Sequence, residues 1–160
     1  MDQHEYEWIR QTRAILLDFC SELSPHDFTR SHGFGFQSIR DTLVHIADCY
    51  CAWIGSYLLL QTRTPITAKE HLSTMDIDRI KHRFAQVDLY VAEALNRLQQ
   101  QMDEPIERPI PWRTGGEPIS MTPRKLLLHT ITHEFHHKGQ IMAMARQTGH
   151  EPPNTDVLGV

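Results

Sequence analysis

The feature that most constrains the fold of this chain is its division into four long stretches of helical periodicity, separated by segments rich in proline and glycine. The stretches run from about 3 to 23, 38 to 61, 76 to 102 and 122 to 148. Ser38, Asp76 and Thr122 each stand where an N-cap is needed, and Pro123 takes the first position of the last helix. Helices of similar length with polar connections predict an all-α fold, a four-helix bundle.

The connection before the last helix is unusually long. Six prolines and glycines fall between residues 103 and 121, and they exclude a regular helix there. A connection of this length in a compact domain is typical of a lid or an interface segment. The residues 106–110 are the one place where we expect a strand.

Composition limits the class of protein. A chain of 160 residues has the usual size of one domain, so we expect a single domain over 1–160. The net charge of -4 gives no excess of cations to neutralise phosphates, so we expect no nucleic-acid partner. No stretch approaches the roughly 18 apolar residues of a spanning helix, and the first residues lack a signal-peptide pattern, so we expect neither membrane insertion nor export. Three cysteines, an odd number, favour a reducing, cytoplasmic setting over a disulfide framework.

Histidine is the unusual residue type, with 11 in the chain. Four of them share an arc of about 100° on the last predicted helix: His129, His133, His136 and His137. Leu126 falls between His133 and His137 on this face, so that pair is the one directed to the core. Buried imidazoles need partners for their ring nitrogens, and a metal ion would provide one. The residues alone leave open a surface cluster, or core histidines bonded to backbone and water.

A metal site needs about three protein donors, and the second predicted helix offers the third. His45 lies on the same face as apolar residues of that helix and is the best candidate. Cys49, four residues on, is the rival donor, since a soft ion would favour a thiolate. The remaining histidines in polar or loop surroundings are expected at the surface: His4, His26, His32, His71 and His82.

Two segments, SIRDTLVHIADCYCAWI and LLLHTITHEFHHKGQIMAMARQTGHEPPNTD, resemble the DinB family of YfiT-like metalloenzymes. The resemblance implies a four-helix bundle of the up-down-down-up type. It also implies a divalent ion, with Zn, Ni, Mn and Fe all suited to imidazole ligands, held by His45, His133 and His137. The family usually has arginine before the Gly-Gln pair of the last helix, where this chain has Lys138. Relatives are associated with low-molecular-weight thiols such as bacillithiol.

Three functions follow as hypotheses. The first is a metal-dependent thiol S-transferase, in which a small-molecule thiol attacks an electrophile. The second is a metallopeptidase, because residues 133–137 match H-E-x-x-H with Glu134 as the base. Gln140 and Ala143 replace the glycine and histidine of the extended motif, so the match is weak. We expect Glu134 to pack among the helices or to orient a ligand imidazole.

The third hypothesis is a non-enzymatic metal-binding or interaction module, with a homodimer as its simplest form. Leu128, Phe135 and Met142 make a second apolar strip on the last helix, away from the histidines. That strip would pack either within the bundle or against a second copy. Aromatic residues of other segments, Trp53 and Trp112, are candidates to line the mouth of the histidine site, together with Arg113.

Overall fold

The fold is mostly helical, with one very small sheet, in a computed structural model that describes residues 1–160. Its elements are α1 (Gln3–Ser21), α2 (Pro25–Thr29), α3 (Ile39–Tyr50), which continues as a π-helix (Cys51–Leu58), α4 (Lys69–Leu72), α5 (Ile77–Arg97), β1 (Ile106–Arg108), β2 (Ile119–Met121), α6 (Pro123–Gln147) and a terminal 3-10 turn (Val157–Gly159). None of these helices has the length and apolar character required to cross a membrane.

The predicted helix starts are confirmed by their caps. The side chains of Ser38, Asp76 and Thr122 each accept a hydrogen bond from the backbone N–H three residues on. Such bonds satisfy donors that have no partner within the helix. The third predicted helix ends earlier than expected, at Arg97 rather than near 102. Residues 99–101 are three glutamines, which add no apolar side chain to the buried stripe.

The second predicted helix is not α-helical throughout. After Tyr50 it widens into the π-helix, whose residues are almost all buried. Gly55 faces α5 so closely that a Cβ atom built on it would lie 2.6 Å from the Tyr90 ring. The missing side chain therefore permits the approach of the two helices.

Residues 106–110 contain the predicted strand, as β1, and its partner β2 was not predicted. The two strands pair antiparallel, with Ile106 opposite Met121. The hydroxyl of Tyr57, on the π-helix, lies 2.6 Å from the carbonyl oxygen of Ile119 and 2.9 Å from that of Ile106. This contact fixes the long connection against the helices.

The core lies where α3 packs against α5 and α6, and α1 packs against α5. A buried polar cluster joins α1, α3 and α6 within it. The guanidinium of Arg13 donates to both carboxylate oxygens of Glu134, at 3.1 and 2.9 Å, and the Tyr50 hydroxyl donates to Glu134 at 2.7 Å. Lys138 lies 3.1 Å from the same carboxylate and donates to the hydroxyl of Thr12. We refer to these five residues as the buried ion cluster.

Charge balance in this cluster favours its ionised form. Burial alone would raise the pKa of Glu134, but the adjacent Arg13 and Lys138 cations lower it to about 2. Burial lowers the pKa of Lys138, and the nearby Glu134 carboxylate only partly opposes that effect. Both side chains of the Arg13–Glu134 pair are at most 3% exposed, so the two charged groups have almost no contact with water.

Candidate metal centre

Helices α3 and α6 bring together the three histidines that the sequence singles out. The Nε2 atom of His45 lies 3.0 Å from Nε2 of His133, which lies 3.3 Å from Nε2 of His137. One nitrogen from each ring falls within 4.8 Å of the other two, an arrangement that could hold a metal ion. The i, i+4 spacing on α6 places two rings one turn apart, and the packing of α3 on α6 supplies the third.

The environment of the rings keeps them neutral. Burial, followed by the neighbouring His137, lowers the pKa of His45 to about 4. Burial and the surrounding imidazoles lower the pKa of His133 to about 3, and burial also lowers that of His137. A neutral imidazole has a lone pair on one ring nitrogen, which is the form that binds a metal.

The donor set fits a divalent ion. Zinc–nitrogen bonds of about 2.1 Å at the tetrahedral angle separate two nitrogens by about 3.4 Å. Two of the three separations, 3.0 and 3.3 Å, are close to this value, and the remaining pair, His45 and His137, lies within 4.8 Å. The Nδ1 atom of His133 is buried and has no hydrogen-bond partner, so its ring is not held by a competing polar contact on that side. Three converging imidazoles suit zinc, nickel and similar ions.

A loop that the sequence did not connect with the site covers one side of it. The Phe36 ring stacks on His45 with centroids 3.7 Å apart, and its centroid is 5.4 Å from that of His137. Phe36 is 41% exposed and His45 is half-buried, so the Phe36 ring covers one face of the imidazole. Gly35 and Gln37 adopt left-handed backbone conformations, which turn the loop onto the helices. The segment HGFGF, residues 32–36, ends with Phe36, but nothing in its sequence indicates that this ring lies over His45.

Aromatic residues lie on another side of the site, beyond His129. The Trp53 ring is 5.9 Å from that of His129 and 5.3 Å from that of Trp112. The ring of His129 is in turn 5.6 Å from His133. Trp53 therefore lies beside His129 and Trp112 beside Trp53, whereas Arg113 is exposed on the connecting loop. That these residues line the mouth of the site stays a prediction.

Cys49, the rival donor, is one helical turn away from the converging nitrogens. Its Sγ atom is 3.8 Å from Nε2 of His129 and belongs to a separate pair. Burial, with contributions from Asp48 and Cys51, raises the pKa of the thiol to about 12. Without an ion the Cys49 thiol is therefore protonated at neutral pH, and it is the distance from the converging nitrogens that separates it from the site.

Glu134 points away from the histidines and into the buried ion cluster. The expectation that it packs among the helices is confirmed. The alternative, that it orients a ligand imidazole, is wrong, because Arg13 and Tyr50 engage its carboxylate and the residue is 1% exposed. Lys138 belongs to the same cluster, so the basic residue before the Gly-Gln pair does not reach the three nitrogens either.

The histidines expected at the surface are exposed, with one exception. His4, His26, His71 and His82 are exposed. His32 is half-buried, and its Nδ1 atom lies 2.9 Å from the side-chain oxygen of Gln147 near the end of α6. A cavity of about 540 Å³ also lies along α6, lined by Phe135, Lys138 and the 151–156 segment, but none of the three converging histidines borders it.

Two comparisons with known proteins give matches over nearly the whole chain. The sequence model described as the DinB family matches residues 1–160. The chain is also 27% identical over 155 residues to a protein of Bacillus subtilis (strain 168) described as uncharacterized protein YizA, covering 97% of this chain and 91% of that protein.

Proposed function

The chain belongs to the DinB family, and on that premise we propose that it is a divalent-metal-binding enzyme of the thiol S-transferase type. His45, His133 and His137 would hold the ion. The observation that carries the proposal is the approach of three ring nitrogens, one from each histidine on two helices, to within 4.8 Å of one another. We also propose that α1, α3 with its π-helix, α5 and α6 form a four-helix bundle of up-down-down-up type in one domain.

The chemistry follows from the ligand set. His45, His133 and His137 would hold a divalent ion, which would supply Lewis-acid chemistry that lowers the pKa of a thiol so that the thiolate would form near neutral pH. Zinc, nickel, manganese or iron could serve. The cosubstrate would be a low-molecular-weight thiol such as bacillithiol. In the net reaction its sulfur bonds to an electrophilic carbon, the leaving group takes the electrons of the broken bond, and the thiol proton goes to solvent.

The protein side chains have separate tasks in this proposal. The three imidazoles remain neutral and keep their lone pairs directed at one point. Phe36, stacked on His45, excludes water from that side of the site. Trp53 and Trp112, beyond His129, offer apolar surface against which an uncharged electrophile would lie.

Metal content is the first test. We expect protein purified without a polyhistidine tag to contain about one equivalent of a divalent ion by elemental analysis, and H133A to contain none. The matched control is H71A, which removes an exposed histidine and should leave the metal content unchanged. A metal-free wild-type protein that also fails to bind added zinc or nickel would contradict the proposal.

Activity is the second test. Wild-type protein, loaded with metal and given a small thiol and an electrophilic dye, should form the conjugate faster than H133A does. Equal rates would reject the transferase. If metal is bound with no conjugation, the result supports the non-enzymatic metal-binding module.

The structure does not favour a peptidase. In that mechanism the glutamate of H-E-x-x-H acts on water beside the ion. Here Glu134 is 1% exposed and bonded to Arg13 and Tyr50, so it has no access to such a water. The third imidazole also comes from an earlier helix rather than from the sequence after His137.

A further inference from the structure

The side chain of Gln140 bridges two histidines of α6, and it has no task in the proposed transferase reaction. Its Oε1 atom lies 2.8 Å from Nδ1 of His137. Its Nε2 atom lies 3.2 Å from Nε2 of His136. Gln140 follows His137 by three residues, so both side chains lie on one face of the helix.

This bridge has a chemical consequence for His137. An amide oxygen only accepts a hydrogen bond, so the Nδ1 atom that contacts it must carry the proton. A neutral imidazole has a single N–H, and the lone pair is therefore on Nε2. That Nε2 atom is the one directed at His133, 3.3 Å away. The bond to Gln140 thus selects the tautomer that can donate to a metal.

The Gln140 amide is itself held in place by the covering loop. A Cβ atom built on Gly35 would lie 2.9 Å from Oε1 of Gln140. The loop backbone therefore closes directly over the amide and leaves it little room to turn. The same loop carries Phe36, which stacks on His45.

We propose that Gln140 is a positioning residue, which fixes the tautomer and the ring orientation of His137 so that its Nε2 atom serves as a metal donor. The inference rests on the proposed metal-binding role of the three histidines. Partners of the second ring nitrogen commonly set ligand orientation and metal affinity in histidine sites. Loss of this partner should therefore weaken metal binding without removing any ligand.

Two substitutions separate the hydrogen bond from the packing of the side chain. Q140L keeps a similar volume but cannot accept a hydrogen bond, whereas Q140E keeps an acceptor oxygen. Q147L is the matched control. Gln147, the last residue of α6, also contacts the Nδ1 atom of a histidine, but that histidine is His32, which lies outside the site. Circular dichroism of each variant checks that the helices are formed.

The first readout requires no metal. Two-bond ¹H–¹⁵N correlation spectra report which ring nitrogen of each histidine is protonated. In metal-free wild-type protein and in Q140E we expect His137 to carry its proton on Nδ1, and in Q140L we expect a mixture of both tautomers. A wild-type protein with the proton of His137 on Nε2 would overturn the inference, and this result would stand even if Q140L failed to fold.

The second readout is zinc affinity, measured by competition with a chromophoric chelator. We expect Q140L to bind zinc about 10- to 100-fold more weakly than wild type. Q140E should restore most of the affinity and Q147L should show no loss. Wild-type protein that binds no zinc would contradict the proposed function. A wild type that binds zinc, alongside a folded Q140L that binds it equally well, would overturn the role of Gln140 alone.

Discussion

At the scale of single residues, His45 and Cys49 illustrate how position distinguishes two chemically reasonable donors. Both lie on one face of α3, four residues apart, so helical periodicity could not separate them. The packing of α3 on α6 brings His45 opposite His133, with their Nε2 atoms 3.0 Å apart, and Cys49 opposite His129. How far α3 is shifted along its axis relative to α6 depends on tertiary packing. It cannot be predicted from the residue spacing within either helix.

The three cysteines provide a prediction at this scale. Cys20, Cys49 and Cys51 are each at most 7% exposed. Burial is the main cause that raises their pKa values to about 12, 12 and 11. The thiolate is the reactive form, so at pH 8 a thiol with a pKa of about 12 is ionised in roughly one molecule in 10⁴.

We expect an aromatic disulfide reagent to label none of the three in folded protein at pH 8, and all three in guanidinium. Labelling of folded protein should accelerate as the pH rises toward 11, because the thiolate fraction increases with pH. Fast labelling of native protein at pH 8 that disappears in C49S would show that the Cys49 thiol is accessible and reactive.

The candidate site was only partly predictable from its residues. Helical spacing and the apolar neighbours pointed to His133 and His137, and the face of the second predicted helix pointed to His45. Gln140 could have been found, since it follows His137 by three residues on the same helix face. Phe36 could not, because its position over His45 depends on a loop that folds back through left-handed backbone conformations.

At the scale of elements, the contact of the π-helix with α5 depends on Gly55. A Cβ atom there would meet two atoms of the Tyr90 ring at 2.6 and 2.7 Å. We expect G55A to lower the free energy of unfolding by about 1–3 kcal/mol, because the buried ring cannot move without disturbing its neighbours. Urea denaturation followed by circular dichroism measures the change.

G139A is the matched control for that substitution. Gly139 lies within α6, and a Cβ atom built on it meets nothing within 4 Å. The alanine variant should be more stable than wild type by about 0.4–1 kcal/mol, since alanine loses less backbone entropy in a helix. Similar stability of G55A and wild type would show that the π-helix and α5 have room to separate.

The buried ion cluster fixes α6 against α1 and α3, and Glu134 is its only carboxylate with two buried cations as partners. E134Q keeps the shape of the side chain but leaves Lys138 without a counter-charge and Arg13 with Asp88 alone, 2.6 Å from its guanidinium. We expect it to lower the free energy of unfolding by about 3–5 kcal/mol at pH 7. The control E93Q breaks a pair with Arg97 at the surface of α5 and should have little effect.

The effect of E134Q should depend on pH in a defined direction. The pKa of Glu134 is about 2 in the folded protein, below its ordinary value of 4.5, so the unfolded chain takes up the proton first on acidification. The stability contributed by the carboxylate is complete above pH 4.5 and is lost as the pH falls toward 2. The difference between wild type and E134Q should therefore shrink over that range. A constant difference would indicate a purely steric effect.

Elements with strong local signals were predicted, and those that depend on tertiary contacts were not. The caps at Ser38, Asp76 and Thr122 are local, and each is confirmed by its hydrogen bond. Strand β2 has three residues, too few for an alternating pattern, and it forms because β1 pairs with it. The π-helix likewise reflects packing rather than composition, since residues 51–58 are apolar enough to continue an α-helix.

At the scale of the whole molecule, the second apolar strip of α6 is buried in part and exposed in part. Phe135 packs against the core, and its ring centroid is 4.3 Å from Nζ of Lys138. Met142 is half-buried. Leu128 alone is largely exposed, at 58%. The surface available for a second copy is therefore smaller than the strip in the sequence indicates, and it is centred on the first half of α6.

We propose that a homodimer of this chain would use this surface. Leu128 would then lie near the two-fold axis, where it meets Leu128 of the second copy. Around it, Met102, Arg124 and Leu127 line a shallow cavity of about 220 Å³, which a side chain of the second copy would fill. We expect light scattering at micromolar concentration to give the mass of two chains for wild type and of one chain for L128E, because a carboxylate buried at the axis would face its own copy. The control L89E alters a leucine of α5 that is 65% exposed, and it should leave the mass unchanged. Wild-type protein with the mass of one chain under these conditions would exclude the dimer and leave the exposure of Leu128 without a role in assembly.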